Sequence, residues 1–426
     1  MEKTLGNIFK GDKVVWMVFF FLCLISVIEV YSASSGLTYK GGNYWAPILK
    51  HTAILIVGIF AMVVTLNIKC KYFKIVTPFL LIFSIFSLLA VLITGHSTNG
   101  AQRWISIVGI QFQPSEIAKG AMILATAQIL SAMQTEKGAD KNAFKYIMIV
   151  GLCIVPLIMV ENLSTAMLLS LVVFMMMVIG RIPGKLLGKV LGVVTLSVLL
   201  MLATIMLVGE DRENIAAAEP QPTATTLPAD QQERTGLFSS VFHRFDTWKS
   251  RIDKFVDGKE VPPQDIDLDK DAQVAHANIA IVSSNIIGKG PGNSVERDFL
   301  SQAFSDFIYA IIIEEMGIFG AFFVAMLYII LLFRSGRIAS RCENNFPAFL
   351  AMGIALLLVT QALFNMCVAV GLAPVTGQPL PLVSKGGTST IINCIYVGVI
   401  LSISRSAKKK KAAEDGDMPS TPFATV

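Results

Sequence analysis

The chain is 426 residues long, 54% hydrophobic and only 15% charged, with a formal net charge of +5 and a mean hydropathy of +0.65. A soluble domain of this size would hold roughly a quarter charged residues, so most of this surface is built to face something other than water. That excludes an ordinary soluble globule. The six cysteines form no CxxC and none falls in the large polar loop, so neither a disulfide framework nor a thiolate metal site is expected. The four histidines are scattered without an HExxH, which argues against a zinc centre.

Apolar runs long enough to cross roughly 30 Å of hydrocarbon recur along the whole chain. They predict spans at about 14–33, 45–66, 75–94, 114–133, 145–160, 164–180, 190–209, 307–333, 346–371 and 387–405. The fold class is therefore all-α, a polytopic integral membrane protein of about ten transmembrane helices. The first run is too long for a cleaved leader and reads as a retained helix. With residues 1–13 cytoplasmic, Lys69, Lys71, Lys74, Lys137, Lys141, Lys145, Arg181, Lys185, Lys189, Arg334, Arg337, Arg341 and Arg405 all fall in or beside short inner segments. Both termini are thus expected on the cytoplasmic side by the positive-inside rule. The basic inner surface accounts for the net charge through anionic lipid and leaves no role for nucleic acid.

Seven spans over 14–209 precede one large extracytoplasmic loop at 210–306, and three more fill 307–405. Within that loop, 219–234 (EPQPTATTLPADQQER) reads as a flexible linker. Val241, Phe242, Phe245, Trp248, Ile252 and Phe255 recur at helical spacing among Arg and Lys. That pattern predicts an amphipathic helix, either lying in the outer headgroups or packed on the bundle. A second, apolar helix is expected over 273–287, followed by GKGPGNS at 288–294, which cannot be regular structure. The basic tail 406–426 is expected to be disordered.

Ionisable residues at membrane depth cost about 2.5–3.5 kcal/mol each on insertion scales and usually have a reason to be there. Asp306 stands where the long loop enters the eighth span. Two readings are open: a carboxylate poised as general base beside outer headgroups, or a helix N-cap. Glu314 and Glu315 follow on the same helix, Glu314 about 12 Å deeper, and are assigned structural or gating roles. Arg103 and Trp104 lie in an outer loop, Arg103 being either a pyrophosphate clamp or a snorkelling interface residue. Pro114 and Glu116 suit a helix start, and Glu116 with Lys119, three residues on, suits a buried ion pair. The glycines at 288–294 serve sharp turns or close backbone approach to a polar ligand. A second irregular outer segment, PVTGQPLP at 374–381 and SKGGTS at 384–389, carries Pro374, Ser384 and Lys385, and such backbone is tolerated where it lines a polar cavity.

Taken together, GAQRWI at 100–105 with FQPSEIAK at 112–119, GKGPGNS at 288–294, DFIYA through EEMG at 306–317, and GLAP to SKGGTS at 371–389 resemble the SEDS family (shape, elongation, division and sporulation). The resemblance covers nearly the whole chain, and the order and spacing of the four stretches make it specific. It implies a peptidoglycan glycosyltransferase that polymerises lipid II into glycan strands at the outer face of the bacterial inner membrane. The family's essential carboxylate maps onto Asp306. Arg103, Lys119, Lys385, Gly290, Asn293 and Ser384 would bind substrate, while Glu116, Glu314, Glu315 and Pro374 would be structural. The resemblance also implies a class B penicillin-binding protein as partner, together with other division or elongation proteins. No protein-built metal site is expected and no cofactor is assigned, though a divalent cation (Mg or Mn) could help to offset the pyrophosphate charge. Lys385 stands where relatives often carry an aromatic residue, and Thr376 where they often carry Lys, which suggests a relocated cation. The overall flavour leans to the division-type branch, with the elongation type as its competitor. A lipid II flippase and a non-catalytic scaffold are the alternatives from other functional classes.

Overall fold

A computed structural model describes residues 10–41, 46–94, 96–98, 101–107, 110–208, 272–300 and 303–416. The expected linker at 219–234 and the amphipathic helix at 241–255 lie outside the described residues. The long helices are α1 (Lys13–Gly41), α2 (Ala46–Asn67), α3 (Cys70–Thr94), α4 (Pro114–Ala132), α5 (Lys141–Glu161), α6 (Leu163–Ile179) and α7 (Gly184–Val208). After the short α8 (Ala272–Ser283) come α9 (Ile308–Ala339), α10 (Asn345–Ala369) and α11 (Thr388–Gly416). A long helix thus stands at each of the places where an apolar run predicts a span. Among the described residues, seven helices are long and apolar enough to cross a membrane, and α6 is a shorter apolar helix.

Local chemistry sets several boundaries. Asn162, N-cap of α6, accepts from the Ser164 and Thr165 amides at 3.1 and 3.4 Å, satisfying donors that have no partner inside the helix. Asp140 does the same for α5 through the Asn142 amide at 2.8 Å. Pro114 starts α4, where its missing N–H costs nothing. Between α3 and α4 the chain forms an antiparallel three-stranded sheet, β1 (His96–Thr98), β2 (Ala101–Ile107) and β3 (Ile110–Phe112), with Ile105 opposite Phe112. From sequence alone this stretch is an outer loop. Its strands are too short for their periodicity to stand out.

Packing separates an inner core from a lipid-facing shell. Helices α10 and α11 bury most of their surface inside the bundle, whereas α3 and α5 leave most of theirs uncovered. Phe79, Phe86 and Leu152 are 69%, 68% and 76% exposed, which suits acyl chains rather than water. Helix α11 packs along α2, and α10 packs against α4, α6 and α9. That arrangement brings the irregular segment 371–387, between α10 and α11, back into the bundle, where Leu380, Leu382 and Val383 are nearly inaccessible.

Candidate functional site

The segment 371–387 is polar backbone at depth, and the helices around it supply its hydrogen bonds. Gln361 and Asn365, one turn apart on α10, donate to the carbonyls of Pro379 (3.0 Å) and Gln378 (2.7 Å). Gln378 in turn donates to Thr165 Oγ1 on α6 at 2.7 Å. The Tyr328 hydroxyl on α9 donates to the Pro381 carbonyl, and Ser26 on α1 donates to that of Val383 at 2.7 Å. Every one of these donors is buried, and the alternative would be unpaired carbonyls in a low dielectric.

Asp306 is fixed against this segment by its own backbone and its neighbours'. Asn365 Nδ2 also donates to the Asp306 carbonyl at 2.8 Å, so one amide group grips both strands. Ser384 donates to the Ser305 carbonyl, and the Lys385 amide donates to Phe304 at 2.9 Å. The Lys385 ammonium lies 4.7 Å from the centre of the Phe304 ring, a cation–π distance. Burial, with the Lys50 charge as a second cause, pulls the Lys385 ammonium below its ordinary value. Asp306 itself keeps 9% exposure, and the N-cap of α9 is Phe307, not Asp306. Asp306, Ser384 and Lys385 are therefore brought together, two residues before a helix N-terminus whose dipole favours a carboxylate.

Lys119 joins the same network from the far side. Its ammonium, fully buried, lies 2.8 Å from Glu116 Oε1 and donates to Gln361 Oε1 at 2.8 Å. Gln361 then reaches Pro379, so a chain of contacts runs from the Glu116–Lys119 pair to the segment holding Asp306. Pro374 lies near the start of that segment. Arg103 falls on β2, and its side chain lies outside the described residues.

Glu314 and Glu315 belong to a different cluster. Both are completely buried and hold the 288–297 loop. Glu314 pairs with the Lys289 ammonium at 2.6 Å, takes the Val295 amide at 3.1 Å and accepts from Ser294 Oγ. Glu315 takes the amides of Gly292 (2.8 Å) and Ser294 (3.2 Å) and the Ser32 hydroxyl. Helix α9 breaks at Gly317 (φ 66°, ψ −170°), and the freed carbonyls of Glu314 and Glu315 accept the Lys289 and Gly290 amides at 2.9 and 2.8 Å. The glycines here allow close backbone approach, but to α9. A Cβ on Gly288 would sit 2.3 Å from the Glu315 oxygen. Asn293, exposed on the loop, donates to the Lys289 carbonyl at 3.0 Å.

Motif and spacing alone do not single out Gln361, Asn365, Gln378, Ser26, Glu29, Ser32 and His51. Their signal was present: polar side chains inside apolar helices, two of them four residues apart on α10.

The chain matches the Cell cycle protein family, which groups FtsW, RodA and SpoVE, over residues 12–230 and 233–409. It belongs to that family. Probable peptidoglycan glycosyltransferase FtsW of Geobacter sp. (strain M18) is 30% identical over 399 residues, covering 92% of this chain and 96% of the relative. The FtsW of Halomonas elongata is 29% identical, covering 94% and 92%. A chain solved in a peptidoglycan synthase complex that coordinates polymerization and crosslinking superposes with a TM-score of 0.67 at 20% identity, covering 93% of this chain and 98% of that one. RodA of Thermus thermophilus gives 0.61 at 20% identity, covering 94% and 98%. As a member of the FtsW/RodA/SpoVE family, the chain carries that family's helical membrane fold, and the stretches around Glu116, Asp306 and Lys385 are stitched together within it.

Proposed function

We propose that this chain is a peptidoglycan glycosyltransferase that polymerises lipid II at the outer face of the bacterial cytoplasmic membrane, for septal wall synthesis. The observation that carries the reading is the setting of Asp306. It is a carboxylate held at the start of α9 by Asn365, Ser384 and Lys385, in a chain whose relatives are named for this activity. In the reaction, Asp306 takes the proton from the acceptor sugar's hydroxyl as that oxygen bonds to the donor's anomeric carbon. The bond from that carbon to pyrophosphate breaks, and polyprenyl pyrophosphate leaves with the electron pair. Lys385 and Arg103 offset the charge growing on the leaving group. Lys119 anchors the segment through Gln361, and Gly290 and Asn293 belong to the loop flanking the site. A divalent cation on the pyrophosphate would add to the same stabilisation.

A class B penicillin-binding protein is the natural partner, because a glycan strand needs crosslinking and a structural neighbour was solved in a synthase complex. The test is purified protein with that partner and lipid II, wild type against Asp306→Asn and Asp306→Ala. Loss of a positioned base removes about 100-fold or more. Glycan strands made at the wild-type rate by both variants would end the catalytic assignment. Translocation of labelled lipid by a polymerisation-dead but folded variant would favour the flippase.

A further inference from the structure

Along α1, Ser26, Glu29 and Ser32 follow one another at three-residue steps, each one turn from the next, and all three are buried. The outer member, Ser32, is tied to the 288–297 loop: it donates to Glu315 and accepts from Arg297 Nη1 at 3.0 Å. The inner member, Ser26, is tied to the other loop. Its hydroxyl donates to the Val383 carbonyl at 2.7 Å and lies 2.9 Å from His51 Nε2.

These two contacts fix the histidine. A hydroxyl has one hydrogen to give, and here Val383 takes it. The His51 contact must then be Nε2–H donating to Ser26 Oγ, which sets the tautomer of a neutral ring and leaves Nδ1 as a bare acceptor. That Nδ1 is buried without a hydrogen-bond partner, and so are both carboxylate oxygens of Glu29. His51 is 1% exposed and Glu29 0%. Ser26 links the two groups, since His51 lies against its hydroxyl and Glu29 follows one turn on along the same buried face of α1, and both present lone pairs with no donor. An ionised carboxylate in that position would be among the costliest arrangements a protein interior can hold.

The surrounding charges decide what supplies the missing donor. On α9, Glu315 acts on Glu29 with negative charge. In the 371–387 segment, Lys385 acts on His51 with positive charge, and Lys50 on α2 acts on Lys385. Lys289 is paired with Glu314, and Arg297 reaches Glu315 at 4.0 Å besides Ser32. The other titratable groups toward α1 are the Tyr328 hydroxyl, directed at Pro381, and the thiols of Cys23 and Cys394. A metal ion would face Lys50, Lys385 and Arg297, and the described residues hold no cluster of three acidic, histidine or cysteine ligands.

We infer that Glu29 and His51 hold one proton between them inside the bundle, with Glu29 as the neutral acid whose O–H is directed across a single water to His51 Nδ1. The pair neutralises itself without a buried net charge. Along α1, Glu29 falls between Ser26, which is tied to Val383, and Ser32, which is tied to Glu315.

Infrared spectroscopy of the purified full-length protein in nanodiscs reads this directly. The expected result at neutral pH is a protonated-carboxyl C=O stretch, sensitive to H2O/D2O exchange, that Glu29→Gln removes and His51→Phe shifts in frequency. Gln keeps the volume and neutrality of the proposed acid, so Glu29→Gln should melt within a few degrees of wild type. Should it fail to fold, glutamate-labelled wild type against His51→Phe carries the same comparison. A spectrum identical in wild type and Glu29→Gln, or a band indifferent to His51→Phe, overturns the pair. So does thermal stabilisation by sodium or magnesium that Glu29→Gln abolishes, which would make the site a metal site.

Discussion

The clearest residue-scale consequence concerns Lys119. It is fully buried and bound on both sides, to Glu116 and Gln361, while Glu116 Oε2 has no other partner. Breaking a buried pair by removing one member leaves an uncompensated charge and costs about 3–5 kcal/mol, whereas replacing both members by neutral groups of similar volume is often close to neutral. Lys119→Ala should therefore lower the melting temperature sharply in detergent, and Glu116→Gln with Lys119→Met should recover most of the loss. Scanning fluorimetry measures both, and a double variant no more stable than Lys119→Ala would show that packing rather than charge sets the cost. At the opposite end of the bundle, Asp12 meets Arg334 at 2.8–2.9 Å and accepts the Val14 amide at 2.9 Å. Burial works to raise the Asp12 carboxyl, but the Arg334 hydrogen bond and the Val15 and Val14 amides together hold it below its ordinary value. A carboxylate lowered in the folded state contributes stability above its unfolded pKa, and loses that contribution as pH falls through the folded value. Wild type should thus show an acid-limb loss of stability below the ordinary carboxylate range that Asp12→Asn lacks, seen as convergence of the two melting temperatures on acidification.

At the scale of elements, the break in α9 at Gly317 organises the cluster around the 288–297 loop. A Cβ there would lie 2.3 Å from the Ile286 carbonyl, and φ is already in the left-handed region. Gly317→Ala should undock the 288–297 loop, raising its rate of limited proteolysis several-fold. Gly336, in the same helix with open space around it, should gain up to about 1 kcal/mol as Ala, since Gly is a poor helix former. Unchanged proteolysis in Gly317→Ala would mean the loop is held by Glu314 and Glu315 alone. The same contrast explains what the sequence made legible. The apolar runs announced α1 to α7 and α9 to α11 because a membrane imposes length and composition on each span separately. The three short strands between α3 and α4 and the kink at Gly317 were hidden, since each depends on a partner segment. Asp306 was visible as an acid at a span's edge, and Lys385 as a lone cation in an irregular stretch. Their attachment through Asn365, Gln361 and Ser384 was not, because hydrogen bonds between residues tens of positions apart leave no periodic trace.

For the whole molecule, the distribution of charge and the distribution of irregular backbone point the same way. One end of the bundle gathers the sheet at 96–112, the 288–297 loop, Asp306 and the buried segment up to Lys385. The other carries the Asp12–Arg334 pair, Lys74 over the Phe346 ring at 4.9 Å, Arg337 over Phe333 at 5.2 Å, and Arg405 bonded to Asn67 at 3.1 Å. Retention of Lys and Arg beside inner leaflets orients short connections, so the first end should face outward, the side on which the proposed polymerisation would take place. Val295 is 54% exposed on the 288–297 loop, and Glu136 is exposed in the tight turn between α4 and α5, which is expected at the basic end. In a background lacking the native cysteines, Val295→Cys should react with a membrane-impermeant maleimide in intact cells. Glu136→Cys should react only after the membrane is opened. The reverse pattern would put Asp306 on the cytoplasmic side, away from any outer-leaflet acceptor, and no rearrangement of the local contacts around Asn365 and Ser384 would rescue it as the base of an extracytoplasmic polymerase.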